Sequence, residues 1–117
     1  MIVIYASRTG NVEAIAAQLD VETVDINTIA AAEEDFILMT YTDGAGDVPF
    51  EVESFLSDPA NVQHMKGVIV SGDPMYGEEN YCGAGDRLHE TYGTEVLYRV
   101  ENAGTEADIA AIRELVK

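Results

Sequence analysis

The apolar residues of this chain fall into short continuous runs that alternate with segments of helical periodicity. Continuous runs lie at Met1–Ala6, Phe36–Tyr41 and Gly67–Val70, and a shorter one lies at Thr23–Ile26. Such runs are typical of strands that are buried on both faces of a parallel sheet. The predicted order is strand, helix, strand, strand, helix, strand, helix, strand, helix, which favours a doubly wound α/β fold.

Three segments carry apolar residues at helical spacing. The first spans 12–19, where they recur at i, i+3, i+4 and i+7 and form one buried stripe. The second begins at Pro49, a residue suited to a first helical turn, and is predicted to end at Asp58-Pro59. The third begins at Thr105, with an aspartate three positions later in capping-box spacing.

Length and charge narrow the class of protein. A chain of 117 residues predicts one domain, residues 1–117. Its 22 acidic and 6 basic residues give a formal charge of −16, and the basic residues form no cluster, which argues against nucleic-acid and membrane-surface partners. No apolar run approaches the roughly 20 residues that cross a bilayer. The single cysteine and the absence of a signal-peptide pattern predict a cytoplasmic protein.

Three loops follow the carboxyl ends of the predicted strands, where doubly wound sheets bind ligands. They are Ser7–Asn11, Thr42–Val48 and Ser71–Cys82. Together with the residues just beyond, they hold seven of the ten glycines, a residue that lets backbone approach a ligand closely. We therefore expect the ligand site at this edge of the sheet.

The loop Ser7–Asn11 has the composition of a phosphate site. Its small hydroxylated residues and one glycine lie where a buried strand turns into a helix, whose N-terminus favours an anion. It matches neither the GxxxxGK[ST] pattern of nucleoside-triphosphate sites nor GxGxxG. The side chains of Ser7, Thr9 and Asn11 suit a terminal phosphate better than a pyrophosphate. A plain strand-to-helix turn is the alternative.

The other two loops are candidate walls for a flat ring. The segment Thr40–Pro49 combines an aromatic residue, threonines and glycines, and its peptides could rotate with the protonation state of a redox ring. A flexible acidic turn is the alternative. In the loop Ser71–Cys82, Tyr76 is the preferred stacking residue, and the alternative for Tyr76 and Tyr81 is an ordinary hydrophobic anchor. Met75 could touch a ring edge, but the sequence favours a gap-filling role for it.

The cysteine and the two histidines of the chain do not belong to any recognisable catalytic or metal-binding motif. Cys82 has acidic neighbours, which raise the pKa of a thiol, and is interpreted as structural. His64 and His89 are predicted to lie at the surface, because neither belongs to a triad or a metal-ligand spacing. We predict no metal site and no catalytic side chain in this chain.

Several motifs resemble one family. The block Ser7-Arg8-Thr9-Gly10-Asn11-Val12, the loop Thr-Tyr-Thr-x-Gly-x-Gly-x-Val-Pro from Thr40, and Gly-x-x-x-Ser-Gly from Gly67 resemble flavodoxin-like proteins. More particularly, the order and spacing of the blocks are similar to those of NrdI-type flavodoxins, the stimulatory proteins of class Ib ribonucleotide reductase. The matching blocks are Ser7–Val12, Asp35–Pro49, Phe55-Leu56, Lys66-Gly67-Val68 with Ser71-Gly72, Gly77, Ala84-Gly85-Asp86, Tyr98, and Gly104-Thr105 with Asp108.

This resemblance implies a fold and a cofactor. The fold would be flavodoxin-like, with five parallel strands in the order 2-1-3-4-5, and the cofactor would be FMN. The phosphate would be bound by Ser7, Arg8, Thr9, Gly10, Asn11 and Val12. The ring would lie between Thr40, Tyr41, Thr42, Gly44, Ala45 and Gly46 on one side and Ser71, Gly72, Asp73, Met75, Tyr76, Gly77, Tyr81 and Cys82 on the other.

The resemblance also implies partners and an activity. In this family the reduced flavin reacts with dioxygen, and the oxidant passes to a dimanganese site in the reductase small subunit, where the tyrosyl radical forms. The metal belongs to that partner, and a separate electron donor reduces the flavin. Two alternatives remain: a general electron-carrier flavodoxin, which needs a stabilised one-electron-reduced flavin, and a flavin-free module that only docks to the reductase.

One segment departs from the family pattern. Asp73-Pro74-Met75-Tyr76 stands where the family typically carries Asn-Arg-Asn followed by Phe or Trp. The loss of a cation and the gain of Asp73 should disfavour the anionic reduced ring. Pro74 should also hold Asp73 in an extended conformation.

Overall fold

The computed structural model describes all 117 residues and contains one five-stranded parallel sheet in the order β2-β1-β3-β4-β5. The strands are β1 (Ile2–Ala6), β2 (Thr23–Asp25), β3 (Phe36–Thr40), β4 (Met65–Gly72) and β5 (Val96–Glu101). The helices are α1 (Asn11–Ala16), α2 (Phe50–Leu56), α3 (Pro59–His64), α4 (Gly83–Tyr92) and α5 (Glu106–Leu115). Short 3₁₀ helices lie at Ile26–Thr28 and Pro74–Tyr76. The predicted flavodoxin-like strand order is confirmed.

Both faces of the sheet are covered, as the continuous apolar strands require. Alternate residues of the central strand β3 point to opposite faces, and all five are buried. On one face Ile37 and Met39 pack with the apolar sides of α1 and α5. On the other face Phe36 and Leu38 pack with those of α2 and α4. Each such fully buried side chain contributes about 1.5–3 kcal/mol, so the ends of β1, β3 and β4 form a rigid base for their loops.

The segment after α2 differs from the prediction. Asp58-Pro59 ends one helix but also begins the next, because the Asp58 carboxylate accepts a hydrogen bond from the Ala60 N–H at 3.0 Å and Pro59 occupies the first turn of α3. The chain therefore has one helix more than predicted. Strand β4 is also longer than predicted at both ends, so Ser71 and Gly72 belong to the strand.

The turn between β5 and α5 is held by the predicted capping box. The Asp108 N–H donates to Thr105 Oγ1 at 3.2 Å, and the Asp108 carboxylate accepts from the Thr105 N–H at 2.9 Å. The Tyr98 hydroxyl also donates to Asp108, at 2.6 Å. These bonds hold residues 102–104 at the carboxyl edge of the sheet, beside the end of β4. No helix combines the length and apolar character that crossing a bilayer requires.

Candidate functional site

A cavity of about 120 Å³ lies at the carboxyl edge of the sheet, where the three predicted loops meet. Its lining comprises Ser7, Arg8, Thr9, Asn11, Val12, Tyr41, Thr42, Gly44, Ser71, Gly72, Asp73, Tyr76 and Asn102. All of these except Asn102 are residues that the sequence predicted. Small-molecule sites usually measure about 300–1,000 Å³, so this cavity is smaller than most of them.

The first loop presents a row of unpaired backbone donors. The N–H groups of the five residues from Arg8 to Val12 have no acceptor within the protein. The side chains of Thr9 and Asn11 also make no internal hydrogen bond, and both residues line the cavity. Successive free amides of this kind form an anion-binding concavity. Because α1 has only six residues, these amides contribute more than its helix dipole.

Two local features shape this loop. Gly10 has φ +95°, a left-handed conformation that L side chains rarely adopt, and it precedes the first residue of α1. The Ser7 hydroxyl oxygen accepts a hydrogen bond from the Glu13 N–H at 3.2 Å, which ties the start of the loop to the first turn of the helix. The anion-binding concavity of residues 8–12 is the phosphate cradle, and its backbone takes this shape before any ligand binds.

Arg8 connects the first loop to the second. Its guanidinium donates to the Asp43 carboxylate at 2.7 Å and lies over the Tyr41 ring, 4.9 Å from the ring centroid. A cation over an aromatic face is favourable. Arg8 therefore closes one side of the cavity by bridging the two loops.

Tyr41 in turn is held by α2. Its hydroxyl donates to the Glu51 carboxylate, with distances of 3.1 and 3.0 Å to the two oxygens. Burial, reinforced by this hydrogen bond, raises the pKa of Tyr41 to about 12. The ring is thus kept neutral and fixed in orientation at the cavity wall.

The second loop is held in place by its own backbone hydrogen bonds and by contacts with α4. Asp43 and Asp47 exchange two backbone hydrogen bonds, of 2.9 and 2.8 Å, which close the loop at its base. The Asp47 carboxylate pairs with Arg87 of α4. A Cβ added to Gly83 would lie 2.8 Å from the Gly46 Cα, so the first turn of α4 touches the loop backbone directly. Only the Gly44-Ala45 tip is left free of such contacts.

The third loop begins with a turn around Pro74. Asp73 has φ −111° and ψ 117°, the extended conformation that the following proline predicted. Its carboxylate accepts from the Met75 N–H at 2.9 Å. Tyr76 lines the cavity with its side chain largely exposed, whereas the more exposed Met75 lies outside it.

Several predicted residues do not line the cavity. Thr40 and Gly46 are buried, whereas Ala45 and Gly77 are exposed. Tyr81 and Cys82 belong to a small apolar cluster behind the third loop. Residues of the predicted set outside the cavity lining are Gly10, Thr40, Ala45, Gly46, Met75, Gly77, Tyr81 and Cys82.

Cys82 is fully buried, and burial raises the pKa of its thiol. Its sulfur lies 3.6 Å from the Val70 carbonyl oxygen. The prediction of a structural rather than reactive thiol agrees with this environment, although burial, and not the nearby glutamates, is the main cause.

The ends of β3, β4 and β5 are linked by hydrogen bonds beneath the cavity. The Thr42 hydroxyl donates to the Ser71 carbonyl oxygen at 3.0 Å, and the Ser71 hydroxyl donates to the Asn102 carbonyl oxygen at 2.7 Å. The Asn102 N–H donates to the Gly72 carbonyl oxygen at 2.9 Å. Sequence analysis missed Asn102 because its contacts come from a strand end outside the three loops. An asparagine before a glycine-containing turn was the available signal.

The site has no metal-binding or triad chemistry. No group of three or more histidine, cysteine or acidic side chains is arranged to hold a metal. His64 pairs with Asp35 at 3.1 Å, and His89 bonds the Thr94 carbonyl oxygen at 2.8 Å, both away from the cavity. The unpaired backbone N–H groups of residues 8–12 are what suits the cavity to an anionic group.

Comparison with known proteins agrees with this architecture. The chain is 37% identical over 117 residues to the SPbeta prophage-derived protein NrdI of Bacillus subtilis, covering 97% of this chain and 88% of that protein. It is 38% identical over 122 residues to Protein NrdI of Rhizobium johnstonii, covering 97% and 90%.

Two solved structures share the fold. One is a short-chain flavodoxin associated with a non-canonical PDU bacterial microcompartment, with a TM-score of 0.69 at 23% identity, covering 97% of this chain and 90% of that one. The other is the Flv1 flavodiiron core from Synechocystis, with a TM-score of 0.66 at 22% identity, covering 96% and 33%. The model of the family described as "NrdI Flavodoxin like" matches residues 3–114. The chain therefore belongs to the NrdI flavodoxin-like family.

Proposed function

We propose that this protein binds FMN and, once reduced, supplies the oxidant with which class Ib ribonucleotide reductase assembles its dimanganese-tyrosyl radical cofactor. Membership of the NrdI flavodoxin-like family supports the association with the reductase and a flavin ligand. The observation that carries the choice of FMN is the row of five unpaired N–H groups from Arg8 to Val12. A terminal phosphate would satisfy them.

The residues present fit the two parts of this ligand differently. The backbone amides and the side chains of Thr9 and Asn11 would hold the phosphate, while Tyr41 and Tyr76 would contact the ring. The enclosed volume is smaller than that of most small-molecule sites. The exposed side chain of Tyr76 is free to adjust to the ring, because no hydrogen bond restrains its hydroxyl.

When bound, the flavin would accept electrons from a reducing partner and pass them to dioxygen. The chain's own residues set the conditions for this transfer. Asp73 places negative charge at the cavity wall, which opposes the build-up of anionic charge beside it. The Asp43 carboxylate lies outside the lining and is paired with Arg8. The same field would expel a small anionic oxidant towards the small subunit, whose dimanganese site receives it. The single buried thiol is compatible with a reducing compartment, so we place this reaction in the cytoplasm.

The experiment compares four samples for activation of manganese-loaded class Ib small subunit in air. They are reduced FMN-loaded protein, oxidised FMN-loaded protein, apoprotein, and free reduced FMN. We expect tyrosyl radical, measured by electron paramagnetic resonance, only with the reduced loaded protein. Equal radical yield with free reduced FMN would reject the proposal.

The carboxylate of Asp73 at the cavity wall also favours a second candidate, a one-electron carrier, because negative charge that opposes full reduction of the flavin separates the two one-electron steps. A stepwise redox titration distinguishes the two functions. A wide gap between the two potentials, combined with no radical yield, would support the carrier. A purified protein that is colourless and takes up no FMN would instead support a flavin-free docking module.

A further inference from the structure

Asn102 is the one residue of the cavity lining that the sequence did not predict. It follows β5 and has φ +50°, one of two non-glycine residues in the left-handed region. That conformation is uncommon, although asparagine adopts it more readily than most residues. The backbone of Asn102 is held there by its two hydrogen bonds to Ser71 and Gly72.

The backbone of Asn102 is therefore fully engaged, but its side chain is not. The carboxamide makes no hydrogen bond to any protein atom, and it is not among the buried unpaired polar groups, so it is accessible from outside. The neighbouring polar side chains at this end of the cavity are already paired, Ser71 to Asn102 itself and Asp73 to Met75. Apart from the Tyr76 hydroxyl, the carboxamide is thus the free polar side-chain group at the β4–β5 side of the cavity.

The position of Asn102 excludes contact with a phosphate in the cradle. In the sheet, β5 is separated from β1 by β3 and β4. At about 4.8 Å between neighbouring strands, the ends of β1 and β5 lie about 14 Å apart. An asparagine side chain cannot span that distance to the residues 8–12. A ligand anchored in the cradle would meet Asn102 with its opposite end.

We propose that the Asn102 carboxamide binds the polar edge of the flavin ring, and so takes part in ligand selection. This inference rests on the proposed function. A carboxamide donates and accepts at once, which matches the uracil-like edge of an isoalloxazine, where a ring N–H lies between two carbonyl oxygens. It also supplies an amide donor next to the third loop, where Asp73-Pro74-Met75 offers no side-chain donor.

The test is a set of binding titrations with FMN, riboflavin and lumiflavin, followed by flavin fluorescence and absorption. Asn102→Gly keeps the left-handed backbone and both backbone hydrogen bonds, and removes only the carboxamide. Asn102→Asp keeps the shape and replaces the NH₂ donors by a carboxylate. Asn27→Gly, an exposed asparagine beside β2 and outside the cavity, is the matched control.

For Asn102→Gly we expect three- to tenfold weaker binding of all three flavins, since one hydrogen bond is lost and its target is common to them. Asn102→Asp should weaken binding further and change the absorption spectrum of the bound flavin. Asn27→Gly should leave every affinity unchanged.

The other outcomes overturn the inference in distinguishable ways. If Asn102→Gly loses affinity for FMN alone, Asn102 contacts the phosphate. If it loses affinity for FMN and riboflavin but not for lumiflavin, Asn102 contacts the polyol chain. If Asn102→Gly does not fold, an Asn102→Asp variant that binds as tightly as the natural protein overturns the inference. If the unaltered protein binds no FMN, the proposed function itself fails.

Discussion

The two ends of the cavity differ in how far their polar groups are already paired. At the cradle, five consecutive N–H groups and the side chains of Thr9 and Asn11 have no protein partner. The opposite end, where we propose that the flavin ring lies, is the ring end, and it is lined by Tyr41, Thr42, Asp73, Tyr76 and Asn102. There Tyr41 is bonded to Glu51, Thr42 to Ser71, and Asp73 to Met75. Unpaired donors at fixed positions bind an anion at little reorganisation cost. Groups that are paired with one another shape a wall and set its charge. We therefore expect the cradle to make the larger contribution to affinity and the ring end to set the redox behaviour.

The largest effect is expected at Gly10, whose φ of +95° is unfavourable for a β-branched residue. Gly10→Val should distort the cradle and weaken FMN binding by about 5- to 150-fold, the equivalent of about 1–3 kcal/mol of backbone strain. The affinity for riboflavin, which has no phosphate, should fall much less. Fluorescence titration measures both affinities. Gly10→Asn tolerates this conformation and serves as the control; equal losses for both flavins in Gly10→Val would contradict a cradle specific for phosphate.

The next largest effect is expected at Gly83, where a Cβ would lie 2.8 Å from the Gly46 Cα. Gly83→Ala should push the second loop away from α4, weaken FMN and riboflavin alike, and cost about 1–3 kcal/mol of unfolding free energy. Urea denaturation and flavin titration test the two effects. Gly85→Ala is the control, because its Cβ would meet the Val70 side chain at 2.9 Å and no part of that loop. Unchanged flavin affinities in Gly83→Ala would show that the contact between α4 and the second loop does not shape the ring end.

A third test addresses charge at the ring end. Asp73→Asn keeps the acceptor for the Met75 N–H but removes a negative charge from the cavity wall. The anionic reduced flavin should become more stable, and the reduction potential should rise by up to about 60 mV, which is tenfold in a one-electron equilibrium. Spectroelectrochemical titration measures the shift. Glu78→Gln, an exposed acid of the same loop outside the cavity, should change it much less. Equal shifts in both variants would mean that net charge alone, and not the wall, sets the potential.

The smallest effect concerns pH. Tyrosine in an unfolded chain loses its proton near pH 10, whereas Tyr41 and Tyr81 keep theirs until about 12. The folded state holds these protons more tightly between the two values, so the free energy of unfolding should fall as pH rises from 10 to 12. Denaturation at pH 9 and pH 11 measures the fall. Tyr41→Phe should reduce the fall and leave the part due to Tyr81 and to Tyr5 and Tyr98, whose pKa values are also raised. If the unfolding free energy of Tyr41→Phe falls as much as that of the unaltered protein, Tyr41 does not contribute to the pH dependence.

The difference between the cradle and the ring end also explains which features the sequence could predict. The strands were visible because continuous apolar runs such as Phe36–Thr40 need burial on both faces, and the cradle was visible because its function depends on adjacent residues. The strand order came from the family resemblance. Helix α3 was missed because Asp58-Pro59 is an equally good end and beginning of a helix.

The bracing of the ring end could not be predicted. Arg8 pairs with Asp43 35 positions away, and Arg87 with Asp47 40 positions away. Nothing in the local pattern distinguishes these aspartates from the many other acidic residues. Asn102 was hidden for the same reason, since only the side-by-side placement of β4 and β5 brings it to the cavity.

Every basic side chain in this protein is already held by an acidic group or a carbonyl oxygen, as in Arg8 with Asp43, Arg99 with Asp86, and Arg113 with Gln18. The protein as a whole has a formal charge of −16, so its remaining carboxylates repel one another and any approaching phosphate. Dissolved ions screen such repulsion over about 8 Å at physiological ionic strength. Added salt should therefore tighten the hold on a phosphorylated ligand and raise the melting temperature, the reverse of what is seen when a cationic pocket captures an anion.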